Sequence, residues 1–256
     1  MVMSKRVYRS SRVFACLCAL VAAAGAYADL PEVVFEITAE LDPVSVTIPV
    51  LGEWFDYNEC TDTWTWATDG PQDFMANDLY LGTLSQFSAE IVGDPEINLN
   101  FAVQAGPAAT TFHIASAVLD DFDPISNAQG YAHASYTLTD FDGNQADLTG
   151  IGDTGGAYLA QYNGWAGAPM GPTGTTFAEG IESMHAGFIE TVDQDFDHPE
   201  SGFVPIGDTV ESMSALVSFE LSAEDLASGT SNFVIIPEPA ALVSLALIAG
   251  FALRRR

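Results

Sequence analysis

An all-β fold, a sandwich or jelly-roll-like antiparallel domain, is what this 256-residue sequence predicts, and three observations predict it. Apolar and polar residues alternate with period two through much of its middle, which puts one set on each face of a strand. No long stretch there carries a capped 3.6-residue period. Clusters of Gly, Pro, Asn and Asp separate the alternating runs, as turns do.

Taken in order, Val33, Phe35, Ile37, Ala39 and Leu41 alternate with Val34, Glu36, Thr38 and Glu40. Asp42-Pro43 reads as a turn, after which Val44, Val46, Ile48 and Val50 resume the pattern. Ile97, Leu99, Phe101 and Val103 alternate with Asn98, Asn100 and Ala102, and Ala215, Val217, Phe219 and Leu221 with Leu216, Ser218 and Glu220. Such strands bury one face each, so two sheets packed face to face accommodate them. The glycine-rich stretch from Gly150 to Gly180 is expected to be loop around one short strand near Ala157–Tyr162. Ser222, followed by Glu224 and Asp225, suits a helix N-terminus and predicts a helical turn over Ser222–Ala227. Ser228–Asn232 is small and polar, which predicts a spacer over 228–236 after a single acidic domain at 29–227.

Charge is segregated along the chain. The seven basic residues are Lys5, Arg6, Arg9 and Arg12 at one end and Arg254, Arg255 and Arg256 at the other. Of the 35 acidic residues, all but Glu238 lie between Asp29 and Ile236, where Lys and Arg are absent. A body without cations cannot neutralise phosphates, which excludes nucleic acid, and anionic lipid should repel it. Its partner is a cation, a basic surface or a neutral glycan.

Both ends carry address signals. A basic region to Arg12, an apolar run Val13–Ala24 and the small-x-small pattern Ala26-Tyr27-Ala28 have the secretory layout. Residues 1–28 are therefore expected to be a signal peptide and the mature chain to begin at Asp29. Cys16 and Cys18 leave with it, so Cys60 has no partner for an intramolecular disulfide and is expected to be buried. At the other end, Pro237-Glu238-Pro239 precedes the uncharged Ala240–Leu253 and the terminal Arg254-Arg255-Arg256. As a helix that apolar run rises only about 21 Å against a hydrocarbon core of about 30 Å. The arginines resist translocation.

On these residues, segment 237–256 resembles the PEP-CTERM sorting signal. The resemblance implies an exported protein of the cell envelope, outer surface or extracellular matrix of a Gram-negative-type bacterium. It further implies recognition by an exosortase, a membrane transpeptidase-like partner, and transient anchoring through a short transmembrane helix. Pro237, Glu238, Pro239, Arg254, Arg255 and Arg256 would carry the signal. The body lies outside the resemblance.

Within the body, Asp-Phe-Asp occurs at 121–123, 140–142 and 195–197, the last extended by Asp193. Hard cations want several carboxylate oxygens converging from a turn, so Asp193, Asp195 and Asp197, and Asp140 and Asp142, are candidate calcium ligands. The EF-hand template fails on both, and the competing reading is solvated aspartates around an inward phenylalanine. Gly150-Ile151-Gly152-Asp153-Thr154-Gly155 matches the dinucleotide fingerprint in letters, yet a hairpin or loop rather than a helix is expected after it. Trp54, Trp64 and Trp66 crowd a short region with Asp and Asn between them, and rings of this kind stack on sugars. Trp64 and Trp66 should share one strand face, and the core is the competing destination. His113, His133, His185 and His198 have no zinc spacing. Together these features predict a structural or adhesive exported protein rather than an enzyme, without a resident cofactor other than calcium. A glycan-binding module contacting extracellular polysaccharide is the alternative. A carboxylate-dependent glycan hydrolase ranks below it.

Overall fold

Alternation becomes pairing at the start of the chain. In the computed structural model, which describes residues 30–166 and 173–238, β1 (Val33–Leu41) turns at Asp42-Pro43 into β2 (Val44–Leu51). A short 3-10 turn at Gly52–Trp54 leads to the hairpin of β3 (Asp56–Asn58) and β4 (Thr63–Ala67). β5 (Gln72–Ala76), β6 (Leu79–Val92) and β7 (Glu96–Ala105) fold back on one another, and β8 (Thr110–Ser116) then pairs with β1. The chain continues through β9 (Ala128–Thr139), β10 (Ala146–Gly150), β11 (Tyr158–Tyr162), β12 (Thr175–Gly180) and β13 (Ser183–Ala186). It closes with β14 (Thr191–His198), β15 (Val204–Pro205), β16 (Met213–Leu221) and β17 (Leu226–Pro237).

These strands make two antiparallel sheets, an all-β sandwich. One is ordered β12-β11-β16-β8-β1-β2, with β10 on β16 and β13 on β10. The other is ordered β14-β9-β17-β7-β6-β4-β3, with β15 on β9 and β5 on β6. From β7 to β10 the chain changes sheet at every strand, so each inner face is completed by residues far apart in sequence. Phe35, Phe87, Phe112, Phe219 and Phe233 are fully buried in the shared core. Two tyrosines brace it across the layers. Tyr158 of β11 donates to the Asn232 carbonyl at 3.2 Å, and Tyr136 of β9 to the Ala157 carbonyl at 3.4 Å. Desolvation raises the pKa of both phenols.

Several sequence expectations need correction. The glycine-rich stretch holds a second strand, β12, paired with β11. Residues 228–236 are no spacer; they lie in β17, hydrogen-bonded to β7 on one side and β9 on the other. Gly229, an inward position, is small because rings occupy the volume, while Phe233 and Ile235 further along are large and buried. A Cβ at Gly229 would stand 2.5 Å from Tyr136 and 2.9 Å from Phe101. The folded domain therefore runs past 227, to Pro237 opposite Ala128 and the Glu238 amide on the Asn127 carbonyl at 2.9 Å. Residues 222–225 form a turn rather than a helix, with Glu224 at φ +64° and Asp225 buried. β16 buries both faces, because Trp165 and Ala166 fold over the outer side of its sheet and cover Leu216. Cys60 is exposed in the turn between β3 and β4.

The expected signal peptide, the segment 240–256 expected to be an apolar helix ending in Arg254, Arg255 and Arg256, and Pro239 lie outside the described residues. No helix among the described residues is long and apolar enough to cross a membrane. The ends of the described chain share one pole of the sandwich. Leu30 lines a pocket with Pro95 and Glu96, and the Ile235 amide bonds the Pro95 carbonyl at 3.0 Å. The turns at 140–145, 187–190 and 222–225 form the opposite pole, at the start of β17.

Candidate functional site

The three tryptophans separate. Trp64 and Trp66 share a face of β4 as their spacing requires, opposite Ile91 and Ala89 of β6, and that face is the inner one. Trp64 is only 8 % exposed and stacks on Tyr57 with ring centroids 4.6 Å apart. It is a core residue, which corrects its candidacy as a glycan contact. Trp66 is half-buried, its back against Phe87 at 6.0 Å and Phe55 at 6.3 Å. Trp54 reaches it from the 3-10 turn, 5.6 Å between centroids and tilted by 32°, and is 43 % exposed. Together they wall an open groove completed by Ala67, Asp69, Pro71 and Gln72. Two indoles with a carboxylate and an amide alongside offer apolar ring faces and hydrogen-bonding groups in one place.

Of the predicted metal ligands, Asp140 and Asp142 do come together, and the third carboxylate beside them is Asp225. One ligand oxygen from each lies within 4.8 Å of the others. Asp140 is buried, and its oxygens accept from the amides of Gly143 at 2.9 Å, Asn144 at 3.1 Å and Ile189 at 2.6 Å. Desolvation pushes its pKa up, but the amides of Ile189, Gly143, Gln145 and Asn144 outweigh this and hold it below the ordinary range. Asp225 is displaced the other way. Desolvation raises it, the Ser222 hydroxyl and Phe141 amide pull it down, and Asp142 and Asp140 push it up again. The cluster ties two turns to the start of β17, and an added cation would relieve its like charges.

Asp193, Asp195 and Asp197 do not converge. They occupy alternate, solvent-facing positions of β14. Residues two apart on a strand are about 6.6 Å apart, whereas oxygens around one calcium at 2.3–2.6 Å can be no more than about 5 Å apart. Each has a neighbour on β9 instead. Asp193 accepts from Thr137 Oγ1 at 2.6 Å, Asp195 stands opposite Ser135, and Asp197 meets the Tyr131 hydroxyl and His133 Nδ1. The hydrogen bond from Tyr131, then that from His133, lowers the pKa of Asp197; the same bond raises the Tyr131 phenol to about 12.

The glycine motif is a closed loop. Gly152 donates to Gly156 O and Gly155 to Gly152 O, both at 2.9 Å, and β11 follows instead of a helix. Glu179 Oε1 accepts from the amides of Thr154 at 2.8 Å and Gly156 at 3.0 Å, so a carboxylate holds the donors a phosphate would need. The histidines are dispersed: His133 on Asp197, His185 on Asp147 at 2.8 Å, His113 on Ser218 at 2.8 Å, and His198 against Phe177. Burial lowers the pKa of His113 against the opposing pull of Glu40.

Sequence reasoning missed Asp225, Glu179 and Tyr131. Val192, Gln194, Phe196 and His198 alternate with the aspartates of β14, and that period would have marked a strand and brought in Tyr131 through its partner. Nothing local to Asp225 or Glu179 pointed to either.

No family model and no curated protein matches the chain. Among solved structures, TmCBM61 in complex with beta-1,4-galactotriose is similar at 11 % identity and a TM-score of 0.26, over 69 % of this chain and 88 % of that one. A mutant VP2 protein of infectious bursal disease virus follows at 9 % identity and a TM-score of 0.11, over 81 % of this chain and 63 % of that one.

Proposed function

We propose that the protein is a non-enzymatic adhesive component of a bacterial envelope or its polymer matrix, and that it holds neutral glycan on the Trp54–Trp66 groove. The exposed Trp54 ring over Trp66, with Asp69 and Gln72 beside it, is the observation that carries this. An aromatic left 43 % in water on a rigid turn forgoes burial that its neighbour Trp64 obtains. The all-acidic body favours a neutral polymer over a polyanion. Affinity electrophoresis through a panel of neutral polysaccharides tests it. Trp54→Ala should weaken retention at least about tenfold, a loss of about 1.4 kcal/mol, with the near-UV spectrum of the core intact. Retention that survives Trp54→Ala and Trp66→Ala would end this reading.

Export and sorting belong to the same proposal, supported by the two terminal signals. Mass spectrometry of protein recovered outside cells should find it without Ala240–Arg256, and Pro237→Ala with Pro239→Ala should leave it in the membrane. An intact Arg256 on the released protein would refute sorting by an exosortase.

A further inference from the structure

We propose that the pole of the sandwich opposite the chain ends is a docking surface for a basic, amphipathic segment of a partner protein. The three most exposed large apolar side chains among the described residues are Phe141, Phe188 and Ile189, at 67, 70 and 71 %. All three stand on the turns that join β9 to β10 and β13 to β14. Phe188 lies over Gly143, 3.2 Å from where a Cβ would be, so the two turns form one ridge.

The ridge is held out by the chain itself. Asp140 accepts from Gly143, Asn144 and Ile189, its own amide bonds the Glu190 carbonyl at 3.0 Å, and the Phe141 amide bonds Asp225 at 3.2 Å. Glu190 closes its turn on the Gly187 amide at 2.7 Å. A preorganised apolar ridge loses little freedom on binding, which is the usual advantage of a built interface. Beside it lies an open groove lined by Tyr80, Gln104, Pro107, Phe141, Asp142 and Glu224. Asp142, Glu190 and Glu224 are exposed.

Charge selects the occupant. Apolar side chains alone would suit a lipid surface or a second copy of this chain. A second copy brings further carboxylates and, between Asp29 and Ile236, no Lys or Arg to meet them. Neutral lipid would leave the acidic rim without partners, and anionic lipid would be repelled. A segment that alternates Lys or Arg with Leu, Ile or Phe covers the ridge and pairs with the rim together. The surface shares no lining residue with the Trp54–Trp66 groove and stands independently of the glycan reading. β17, 12 residues long, places it about 40 Å from Pro237, facing away from any anchor at that end.

Fluorescence anisotropy of a labelled amphipathic Leu/Lys peptide with the purified full chain tests the proposal, with a Lys/Ser peptide of equal charge as control. Saturable binding to the Leu/Lys peptide, tighter than to the control, is expected. Phe188→Ser with Ile189→Ser, and separately Asp142→Asn with Glu224→Gln, should each weaken it at least about tenfold. Asp193→Asn with Asp195→Asn should leave it nearly unchanged. Because the ridge is exposed, near-UV spectra should confirm folding; Phe141→Ser supplies a second ridge variant. Equal binding of both peptides, or indifference to the ridge variants, would overturn the proposal as plain counterion attraction. Self-association abolished by the ridge variants would replace it with a second copy, and phosphatidylcholine vesicle binding abolished by them would replace it with lipid.

Discussion

The tripeptide Asp-Phe-Asp stands in a turn at 140–142 and in a strand at 195–197, and the two copies face opposite ways. In the turn, Asp140 is buried under backbone amides while Phe141 is 67 % exposed. In the strand, Phe196 packs inward, its ring over Gly180 and edge-on to Tyr158, while Asp195 and Asp197 stand in solvent. Strand geometry sends successive side chains to opposite faces and so separates the carboxylates. A turn curls its amides around one carboxylate and brings others to it. Identical residues thus make a structural lock in one place and a solvated row in the other.

Substitution should separate the two copies most widely. Asp140→Ala removes a buried carboxylate that accepts from the amides of Gly143, Asn144 and Ile189, of which the Asn144 amide keeps a second acceptor in Asp142, and should lower Tm by roughly 5–10 °C. Asp195→Ala should move it by no more than about 2 °C. Comparable shifts in thermal melts of the two would show that the lock is not one.

The next effect is on pH dependence. Asp225, raised, binds its proton more readily in the folded state, so acidification through its folded pKa toward its unfolded one should raise stability. Asp140 and Asp197, lowered, supply stability that is present above their unfolded pKa and lost as pH falls through their folded values. Tm should therefore rise and then fall on acidification, and Asp225→Asn should flatten the rise. A rise of the same size in that variant would assign it instead to general relief among the other carboxylates.

Ions should produce a smaller, two-part response. The Debye length falls from about 30 Å at 0.01 M salt to about 8 Å at 0.15 M, so Tm should climb with ionic strength whatever the cation. If calcium is held, a saturable gain should appear on top of that at low concentration. Asp142→Asn should remove this gain, and joint replacement of Asp193, Asp195 and Asp197 by Asn should not. The reverse pattern would place the ion on β14, against its geometry.

Much of the fold was legible because period-two alternation survives wherever one face is buried, as in Ile97–Val103. It failed where packing erased the contrast. Gly229 faces inward yet is small because Tyr136 and Phe101, its partners on β9 and β7, close over it, and Ser231 is buried yet polar, so a central strand read as a spacer. Of the candidate site, the crowding of tryptophans was visible. Which ring would be left in water was not, since that depends on β6 meeting β4 and on the turn that lifts Trp54.

By itself, the sequence determined the all-β class, the wholly acidic body and the signals expected at its ends, because periodicity, net charge and short linear motifs are properties of the chain. Only tertiary structure decided that Trp64 is core and Trp54 surface, that Asp225 joins Asp140 and Asp142, and that Glu179 closes the glycine loop. Those outcomes depend on strand register and sheet crossovers, which join residues far apart in the chain through contacts that no local pattern encodes.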